Sequence, residues 1–238
     1  MTHFPFDAVL FDCDGVLVDS EPITNRVLAQ ILGEMGWSIS HEECMRIFAG
    51  KAVRDEAALI AARTGVQIDD AWTAQFRQRR NDALDRELTE IPGAPKAVRE
   101  LHAMLNGRIA VASGADLHKV RLQLTKVGLV DCFGSRVFSG QDMPRSKPFP
   151  DVYLAAAQAL GVPAVRCAVV EDTVTGATAG VAAGATVFGY SPGNAGHSDA
   201  DALRATGVHF VFTDMAELPA LMAAHASGAA MAPAASAR

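Results

Sequence analysis

The chain has 238 residues, of which 50% are hydrophobic and 20% charged, and its formal net charge is −6 at pH 7. This length fits one large domain, or one domain that carries an insertion. The acidic balance argues against a nucleic-acid-binding surface, which needs clustered Lys and Arg, and no apolar run approaches the roughly 20 residues that cross a bilayer. The N-terminal residues lack the features of a signal peptide, and the cysteines show no CxxC spacing. We therefore expect a cytoplasmic protein without a disulfide framework or a zinc site.

Short runs of β-type residues predict six strands. They are Ala8–Asp12, Ile109–Ser113, Val137–Gly140, Ala168–Asp172, Thr186–Tyr190 and Phe210–Asp214. Segments with helical spacing lie between most of them, such as Lys96–Leu105, Leu117–Val127 and Val152–Leu160. Buried runs that alternate with helices indicate βαβ units, so we expect a Rossmann-like α/β fold with a doubly wound, largely parallel sheet covered on both faces.

The stretch from residue 20 to residue 89 contains no convincing strand and has helical signals instead. Ile23, Val27 and Ile31 recur every four residues along one face of a first helix. The run Ser40-His-Glu-Glu43 is a capping box that begins a second helix. Gly65 ends a third helix, and residues 69–88 form a fourth, whose basic run at residues 77–80 we interpret as a solvated face.

These patterns predict a division of the chain into three parts. Residues 1–19 and 90–222 would form the α/β core, and residues 20–89 would form an inserted, all-helical cap domain. The small-residue, low-complexity segment at residues 223–238 would be a disordered tail.

Two acids follow the first predicted strand. That strand ends at Asp12, Asp14 comes two residues later, and Gly15 permits a sharp turn. In open parallel sheets, ligands bind beyond the carboxyl ends of the strands. Two carboxyls this close should not both ionise easily, so we expect one of them to have a raised pKa suited to proton transfer. The alternative is an Asp-Gly turn with no chemical role.

A second apolar strand ends in Glu171-Asp172. Two strands that deliver carboxylates to the same edge of a sheet make a site of hard oxygen ligands, which suits Mg²⁺. The alternative is that one of these acids only caps the helix that follows.

Two further segments could hold an anion. The run Ala112-Ser-Gly-Ala-Asp116 ends a strand and begins a helix, so the Ser113 hydroxyl and the backbone around Gly114 could bind a phosphate. Lys147 lies in a proline-rich loop, where its charge could neutralise a phosphoryl group and the crowded carboxylates. Ordinary turn residues and a solvated loop charge are the alternatives.

These four segments, in this order, resemble the four motifs of the haloacid dehalogenase superfamily. The match is to its phosphatase and phosphomutase branch, with a helical cap after the first motif, and it runs from about Phe6 to Leu221. Its specificity lies in the joint order of the motifs, which are Asp12-x-Asp14-Gly, Ser113, Lys147 and Glu171-Asp172.

The resemblance implies a role for each motif residue. Asp12 would be the nucleophile that forms an aspartyl-phosphate, and Asp14 would protonate the leaving oxygen and later activate water. Mg²⁺ would be held by the Asp12 carboxylate, the Asp14 backbone carbonyl and Asp172, with Glu171 nearby or acting through water. Ser113 and Lys147 would hold the phosphoryl oxygens. The cap would close over the core and select the substrate.

The resemblance is greatest to sugar-phosphate phosphatases and β-phosphoglucomutase-like proteins. It implies a Mg²⁺-dependent phosphoric monoester hydrolase that acts on a small phosphorylated metabolite. Lys51 and Arg54, on a loop between two predicted cap helices, are candidates for binding a hydroxylated or carboxylated substrate such as a sugar-acid phosphate, and a surface role is the alternative.

Two other functions share these motifs. In β-phosphoglucomutase a His twelve residues beyond the nucleophile is associated with control of the second acid; here that position is Thr24, which favours a phosphatase over a sugar phosphomutase. A non-catalytic binding protein should have lost at least one of the four key motif residues. All of them are present, and they are Asp12, Asp14, Lys147 and Asp172.

Overall fold

The computed structural model describes residues 4–193 and 196–225. In these residues the core is a six-stranded sheet whose paired strands are all parallel. The strands are β1 (Ala8–Phe11), β2 (Ile109–Ser113), β3 (Val137–Ser139), β4 (Cys167–Glu171), β5 (Thr186–Tyr190) and β6 (Phe210–Phe212). Their order across the sheet is β3-β2-β1-β4-β5-β6. The predicted Rossmann-like α/β fold is confirmed.

The strand order reverses at the centre of the sheet. The chain runs outward from β1 to β3 and then crosses back to β4, which pairs with the other side of β1. Ligands of open α/β sheets bind outside the carboxyl ends of the strands at such a reversal. Phe11 is opposite Val170 in the register, so Asp12 and Glu171 leave the sheet side by side at this position.

Several strands end earlier than the sequence predicts. β1 ends one residue before Asp12, and β4 ends one residue before Asp172. Gly140 begins a 3₁₀ turn, and Asp214 caps another by accepting a hydrogen bond from the Ala216 amide. The side chains of Asp12 and Asp214 bind partners outside the sheet at two of these ends.

Eleven α-helices lie within the described residues. Between β1 and β2 the chain forms α1 (Glu21–Glu34), α2 (His41–Phe48), α3 (Ala57–Thr64) and α4 (Asp70–Glu87). A fifth helix, α5 (Ala94–Met104), also precedes β2. After that strand the chain forms α6 (Leu117–Lys126), α7 (Val130–Phe133), α8 (Asp151–Ala159), α9 (Val174–Ala182), α10 (Ala200–Ala205) and α11 (Leu218–His225). We refer to α1–α4 as the four-helix segment.

Local signals explain where the helices of the four-helix segment begin and end. The Ser40 hydroxyl accepts a hydrogen bond from the Glu43 amide at 3.1 Å and caps α2. Asp69 caps α4 by accepting from the Trp72 amide at 2.7 Å. Gly65 ends α3 with a φ of 73°, a left-handed conformation that glycine adopts without strain.

Alternate residues of the strands enter two hydrophobic clusters, one on each face of the sheet. Val9 and Phe11 of β1 pack in the cluster that contains residues of α5, α6 and α7. Ala8 and Leu10 pack in the cluster that contains residues of α8, α9 and α10. Both faces of the sheet are therefore covered, as expected for parallel strands with helical crossovers.

The C-terminal helix extends further than the sequence predicts. α11 includes residues 223–225, which the sequence analysis assigned to a disordered tail. The ring of His225 stacks on Phe6 with 5.4 Å between centroids, and this long-range contact holds the last turn against the core. The rest of the predicted tail, residues 226–238, lies outside the described residues. No described helix has both the length and the apolar character needed to cross a membrane.

Candidate active site

Three acids converge at the reversal of the sheet. Asp12, Glu171 and Asp172 are buried, and one side-chain oxygen from each lies within 4.8 Å of the other two. Lys147 enters the same position, with its Nζ 2.6 Å from Asp12 Oδ1 and 2.6 Å from Glu171 Oε1. Only 9% of the Lys147 side chain is exposed, so it is not a solvated loop charge. We call these three acids the acidic trio.

Protein donors surround both oxygens of Glu171. Oε1 accepts from Lys147 and from the Tyr153 hydroxyl at 2.7 Å. Oε2 accepts from the Asp172 amide at 3.1 Å and from the Thr173 amide and hydroxyl at 3.3 and 3.1 Å. Glu171 is therefore bound within the protein on both sides, which favours a role in placing Lys147.

Asp172, unlike Glu171, has a carboxylate oxygen with no hydrogen-bond donor among the described residues. Its Oδ1 is buried, and no donor in the described part of the chain reaches it. A buried carboxylate oxygen without a partner is costly, which suggests that a ligand normally satisfies it. Hard oxygen atoms of Asp12 and Asp172 at this position fit a divalent cation such as Mg²⁺.

Two glycines allow the backbone to approach these acids. A Cβ at Gly15, which has a φ of 76°, would lie 2.1 Å from Asp172 Oδ2. A Cβ at Gly176 would lie 1.7 Å from Glu171 Oε1. Only glycine fits at either position without displacing the carboxylate.

Crowding and burial shift the pKa values of the groups around the trio. Burial, with the charges of Glu171 and Asp14, raises the pKa of Asp12 to about 7, although Lys147 lowers it. Burial and the neighbouring acids also raise the pKa of Asp172 well above its usual range. For Lys147, burial acts to lower the pKa, but Asp12 and Glu171 outweigh it and raise the pKa, so this group stays charged.

The Asp14 side chain is turned toward α6 and is not part of the acidic trio. Its Oδ1 accepts from Lys119 Nζ at 2.8 Å, from Gln123 Nε2 at 2.7 Å and from the Ser20 hydroxyl. Burial acts to raise the pKa of Asp14, but Lys119 and these hydrogen bonds lower it to about 2. The expected raised pKa in this pair of acids therefore belongs to Asp12.

Sequence reasoning missed the α6 partners of Asp14. Lys119 and Gln123 are buried and are four residues apart, so they lie on the same face of the helix. The available signal was polar residues on the same side as Val120 and Leu124, which are the buried apolar residues of α6. Tyr153 was also missed, and Lys147 Nζ lies 4.8 Å from the centre of its ring.

Ser113 and Gly114 lie at the carboxyl end of β2, next to β1. Ser113 is buried, and its hydroxyl accepts from the Ala115 amide at 3.1 Å. A Cβ at Gly114 would meet nothing within 4 Å, so space is open beside this backbone. The register places Val111 opposite Phe11, so the residues that follow these two strands leave the sheet at adjacent positions.

Lys51 and Arg54 pair with acids of the four-helix segment and not with the acidic trio. Lys51 Nζ is 2.9 Å from Glu56, and Arg54 Nη2 is 2.6 Å from Asp70. Their side chains are 51% and 62% exposed. Arg54 lines a cleft of about 450 Å³, which Asp116 at the start of α6 also lines.

Arg80, in the basic run of α4, does not lie on a solvated face, so that interpretation was wrong for this residue. Arg80 has a side chain only 8% exposed, and its Nη2 donates to Asp116 at 2.9 Å. Arg77 reaches Gln141 at 2.8 Å. These side chains connect the four-helix segment to the residues that follow β2 and β3.

Comparisons with known proteins agree with this arrangement. A family model described as haloacid dehalogenase-like hydrolase matches residues 6–184. The chain is 32% identical over 183 residues to 6-phosphogluconate phosphatase of Escherichia coli (strain K12), covering 76% of this chain and 81% of that protein. It is 32% identical over 194 residues to hexitol phosphatase B of the same strain, covering 74% and 79%. A solved hydrolase of this family from Deinococcus radiodurans R1, with bound phosphate and sodium, is 37% identical with a TM-score of 0.75, covering 94% and 97%.

Proposed function

We propose that this protein uses Asp12 to remove the phosphoryl group from a small sugar phosphate or sugar-acid phosphate. The proposal starts from the family: the chain belongs to the haloacid dehalogenase-like hydrolases and is a phosphoric monoester hydrolase. The observation that carries the proposal is the contact of Lys147 with Asp12 at the reversal of the sheet. A carboxylate nucleophile beside a buried, permanently charged ammonium group is suited to an incoming phosphoryl group.

The proposed reaction has two steps. In the first, an oxygen of Asp12 attacks phosphorus, the bond from phosphorus to the substrate oxygen breaks, and the leaving oxygen takes a proton from Asp14. In the second, water attacks the aspartyl-phosphate, gives a proton to Asp14 and releases inorganic phosphate from Asp12. Lys147, Ser113 and the Gly114 backbone would hold the phosphoryl oxygens during both steps.

A divalent cation fits the acids of this site, because Asp172 Oδ1 is buried and has no donor among the described residues. Asp12 and Asp172, with the Asp14 backbone carbonyl, would hold Mg²⁺. When bound, Mg²⁺ would neutralise the charge of the phosphoryl group and of the crowded carboxylates. Because Lys147 and Tyr153 already bind Glu171 Oε1, we assign Glu171 to the placement of Lys147, with any contact to the cation through water.

The names of the similar enzymes support the substrate class. One acts on 6-phosphogluconate and another on hexitol phosphates. The four-helix segment, within the predicted cap at residues 20–89, would close over the core, exclude water and contact the rest of the substrate. Thr24 stands at the position where the mutase has its controlling His, so the same control of Asp14 is missing and water should reach the intermediate.

A panel of phosphorylated metabolites tests this function. With Mg²⁺, phosphate release should be fastest for sugar phosphates or sugar-acid phosphates, should stop in EDTA, and should return when Mg²⁺ is added back. Asp12→Asn is the control for contaminating phosphatases, because it should remove turnover while the protein stays folded by circular dichroism.

The same panel separates hydrolysis from phosphoryl relocation. β-Glucose 1-phosphate with a trace of the bisphosphate should give free phosphate if the enzyme is a phosphatase. Accumulation of glucose 6-phosphate with little free phosphate would instead assign the chain to the mutases. Full activity in chelator, or no phosphate release from any member of the panel, would contradict the proposed function.

A further inference from the structure

We infer that Lys119 of α6 is a positioning residue for Asp14, and that it determines which oxygen of Asp14 exchanges protons with the substrate and with water. This inference rests on the proposed function, in which Asp14 is the acid and then the base. It concerns a residue outside the motif segments at the ends of the strands.

The geometry around Asp14 is asymmetric. Lys119 Nζ, Gln123 Nε2 and the Ser20 hydroxyl all donate to Oδ1. Among the described residues no donor reaches Oδ2. An oxygen that accepts three hydrogen bonds has no lone pair left for a transferable proton. Oδ2 is therefore the oxygen that can carry the proton.

The donors themselves are held in place. Lys119 is almost fully enclosed, with a side chain 6% exposed. The Cys13 thiol donates to Gln123 Oε1 at 3.4 Å, which leaves the Gln123 amide nitrogen to face Asp14. Val120 and Leu124 anchor α6 in the hydrophobic core. Two of the three donors to Oδ1, Lys119 and Gln123, therefore lie on a helix that is packed into the core.

Of these three donors, Lys119 makes the strongest hydrogen bond to Asp14, because it is the one that is charged. A charge-assisted hydrogen bond is roughly twice as strong as a neutral one. Rotation of the Asp14 carboxylate would break this bond in a buried site, where the lone ammonium would lose its counter-ion. Lys119 thus restricts Asp14 to one orientation with Oδ2 free.

The consequence for catalysis lies in the proton transfers. In the first step the proton on Oδ2 passes to the leaving oxygen as the bond to phosphorus breaks, and in the second Oδ2 takes a proton from the attacking water. An alkoxide leaving group needs that proton, whereas p-nitrophenolate is a weak base and leaves with little assistance. Loss of orientation at Asp14 should therefore lower the rate of hydrolysis of alkyl phosphates much more than that of aryl phosphates.

The test compares kcat/KM for the best sugar phosphate from the panel with kcat/KM for p-nitrophenyl phosphate. Lys119→Met should lower the value for the sugar phosphate about 10²-fold, because misplacement of a reacting group by about 1 Å has a cost of this order. The loss for p-nitrophenyl phosphate should be at least about tenfold smaller, because the aryl leaving group needs little general acid. Lys119→Arg, which keeps a charged donor, should recover part of the loss.

Three further variants make the comparison decisive. Lys126→Met, at an exposed lysine at the end of the same helix, should leave both values unchanged. Gln123→Leu removes another donor to Oδ1 and should give the same leaving-group dependence at smaller size, which provides a second test if Lys119→Met does not fold. In an Asp14→Asn background, Lys119→Met should change the ratio of the two values no further.

Equal losses on the two substrates, or no loss on either, would overturn the role of Lys119. The Asp14→Asn variant separates this failure from failure of the proposed function. If Asp14→Asn discriminates between the leaving groups and Lys119→Met does not, only the inference about Lys119 fails. If Asp14→Asn itself shows no discrimination, the assignment of Asp14 as the acid in the proposed function is wrong.

Discussion

Asp12 and Asp14 are separated by one residue, but their side chains have opposite electrostatic surroundings. Asp12 packs with Glu171 and Asp172, and among the described residues the cation that contacts it is Lys147. Asp14 accepts from Lys119 and from two neutral donors. Pairs of acids whose surroundings separate their pKa values are a common basis for a division of catalytic roles. Here the raised pKa lies on Asp12 and the lowered pKa on Asp14. A cation bound by Asp12 would lower the pKa of that group and keep it ionised to meet phosphorus, and we propose that Asp14 then makes the proton transfers.

The raised pKa values of the acidic trio predict a pH-dependent affinity for Mg²⁺. Burial and the neighbouring acids raise the pKa of Asp12 to about 7, so part of this group carries a proton near neutral pH. A cation binds the ionised form, so binding should release a proton and the affinity should rise as the pH increases through about 7. Because the pKa of Asp172 is raised as well, ionisation of this second ligand should add to the rise in affinity.

Calorimetric titration of the enzyme with Mg²⁺ measures this directly. The number of protons released follows from the heats in two buffers with different ionisation enthalpies. Asp172→Asn should weaken binding, and Asp82→Asn, a change at an exposed acid of α4, should not. An affinity that stays constant as the pH passes through this range would contradict the account of the trio.

The residues of the trio could be predicted from the sequence, and the partners of Asp14 could not. Asp12 and Asp172 follow buried parallel strands, and the carboxyl ends of such strands meet at one edge of the sheet whatever the details of packing. Lys119 reaches Asp14 only because of the rotation and position of α6 on the sheet. Those depend on contacts between residues far apart in the chain.

At the scale of secondary-structure elements, Asp116 connects α4 to α6. It caps α6 by accepting from the Lys119 amide at 2.9 Å, and it accepts from Arg80 of α4 at 2.9 Å. Burial acts to raise the pKa of Asp116, but Arg80 and the cap hydrogen bond lower it. The four-helix segment is thus joined to the helix that begins directly after Ser113 and Gly114.

Arg80→Met should destabilise the protein because it leaves Asp116 largely buried without its main partner. Loss of one member of a buried ion pair costs about 3 kcal/mol or more of unfolding free energy. Arg79→Met is the matched control on the same helix, since Arg79 pairs with Glu34, whose side chain is 60% exposed, and exposed ion pairs stabilise a protein much less than buried ones. Urea unfolding of both variants gives the difference, and equal effects would show that the Arg80 contact does not hold α4 in place.

The ends of the helices show which features depend on neighbouring residues and can be predicted from the sequence. Ser40 and Gly65 predict helix ends correctly because capping depends on neighbouring residues. The last turn of α11 was missed because it is held by the contact between His225 and Phe6, at the other end of the chain. The burial of Arg80 was missed for the same reason, since its partner is 36 positions away.

At the scale of the whole molecule, we propose that the insertion of the four-helix segment between β1 and β2 separates the residues that do the chemistry from those that select the substrate. The acidic trio and Lys147 belong to the sheet and its loops, whereas Lys51 and Arg54 belong to the segment. We therefore expect that exchange of residues in the segment alters the substrate without moving the proposed catalytic acids.

Arg54→Ala tests this separation, and Lys51→Ala should act in the same direction. Each change should raise KM for the best substrate and alter the ranking of substrates more than it alters kcat on a small generic phosphate ester. Arg46→Ala is the control, because Arg46 is in α2 and its side chain is 75% exposed. If the ranking is unchanged in both variants, these two cations serve only their ion pairs with Glu56 and Asp70.

The central claim is that Asp12 carries the phosphoryl group, and chemical trapping tests it most directly. The enzyme is mixed with its best substrate and Mg²⁺, quenched in acid during turnover, and treated with borohydride, which reduces an aspartyl-phosphate to homoserine. Peptide mass spectrometry should then find homoserine at position 12, and none when Asp12→Asn is treated in the same way. Homoserine at another aspartate, or an Asp12→Asn protein that stays folded and turns over at a near-normal rate, would contradict the account.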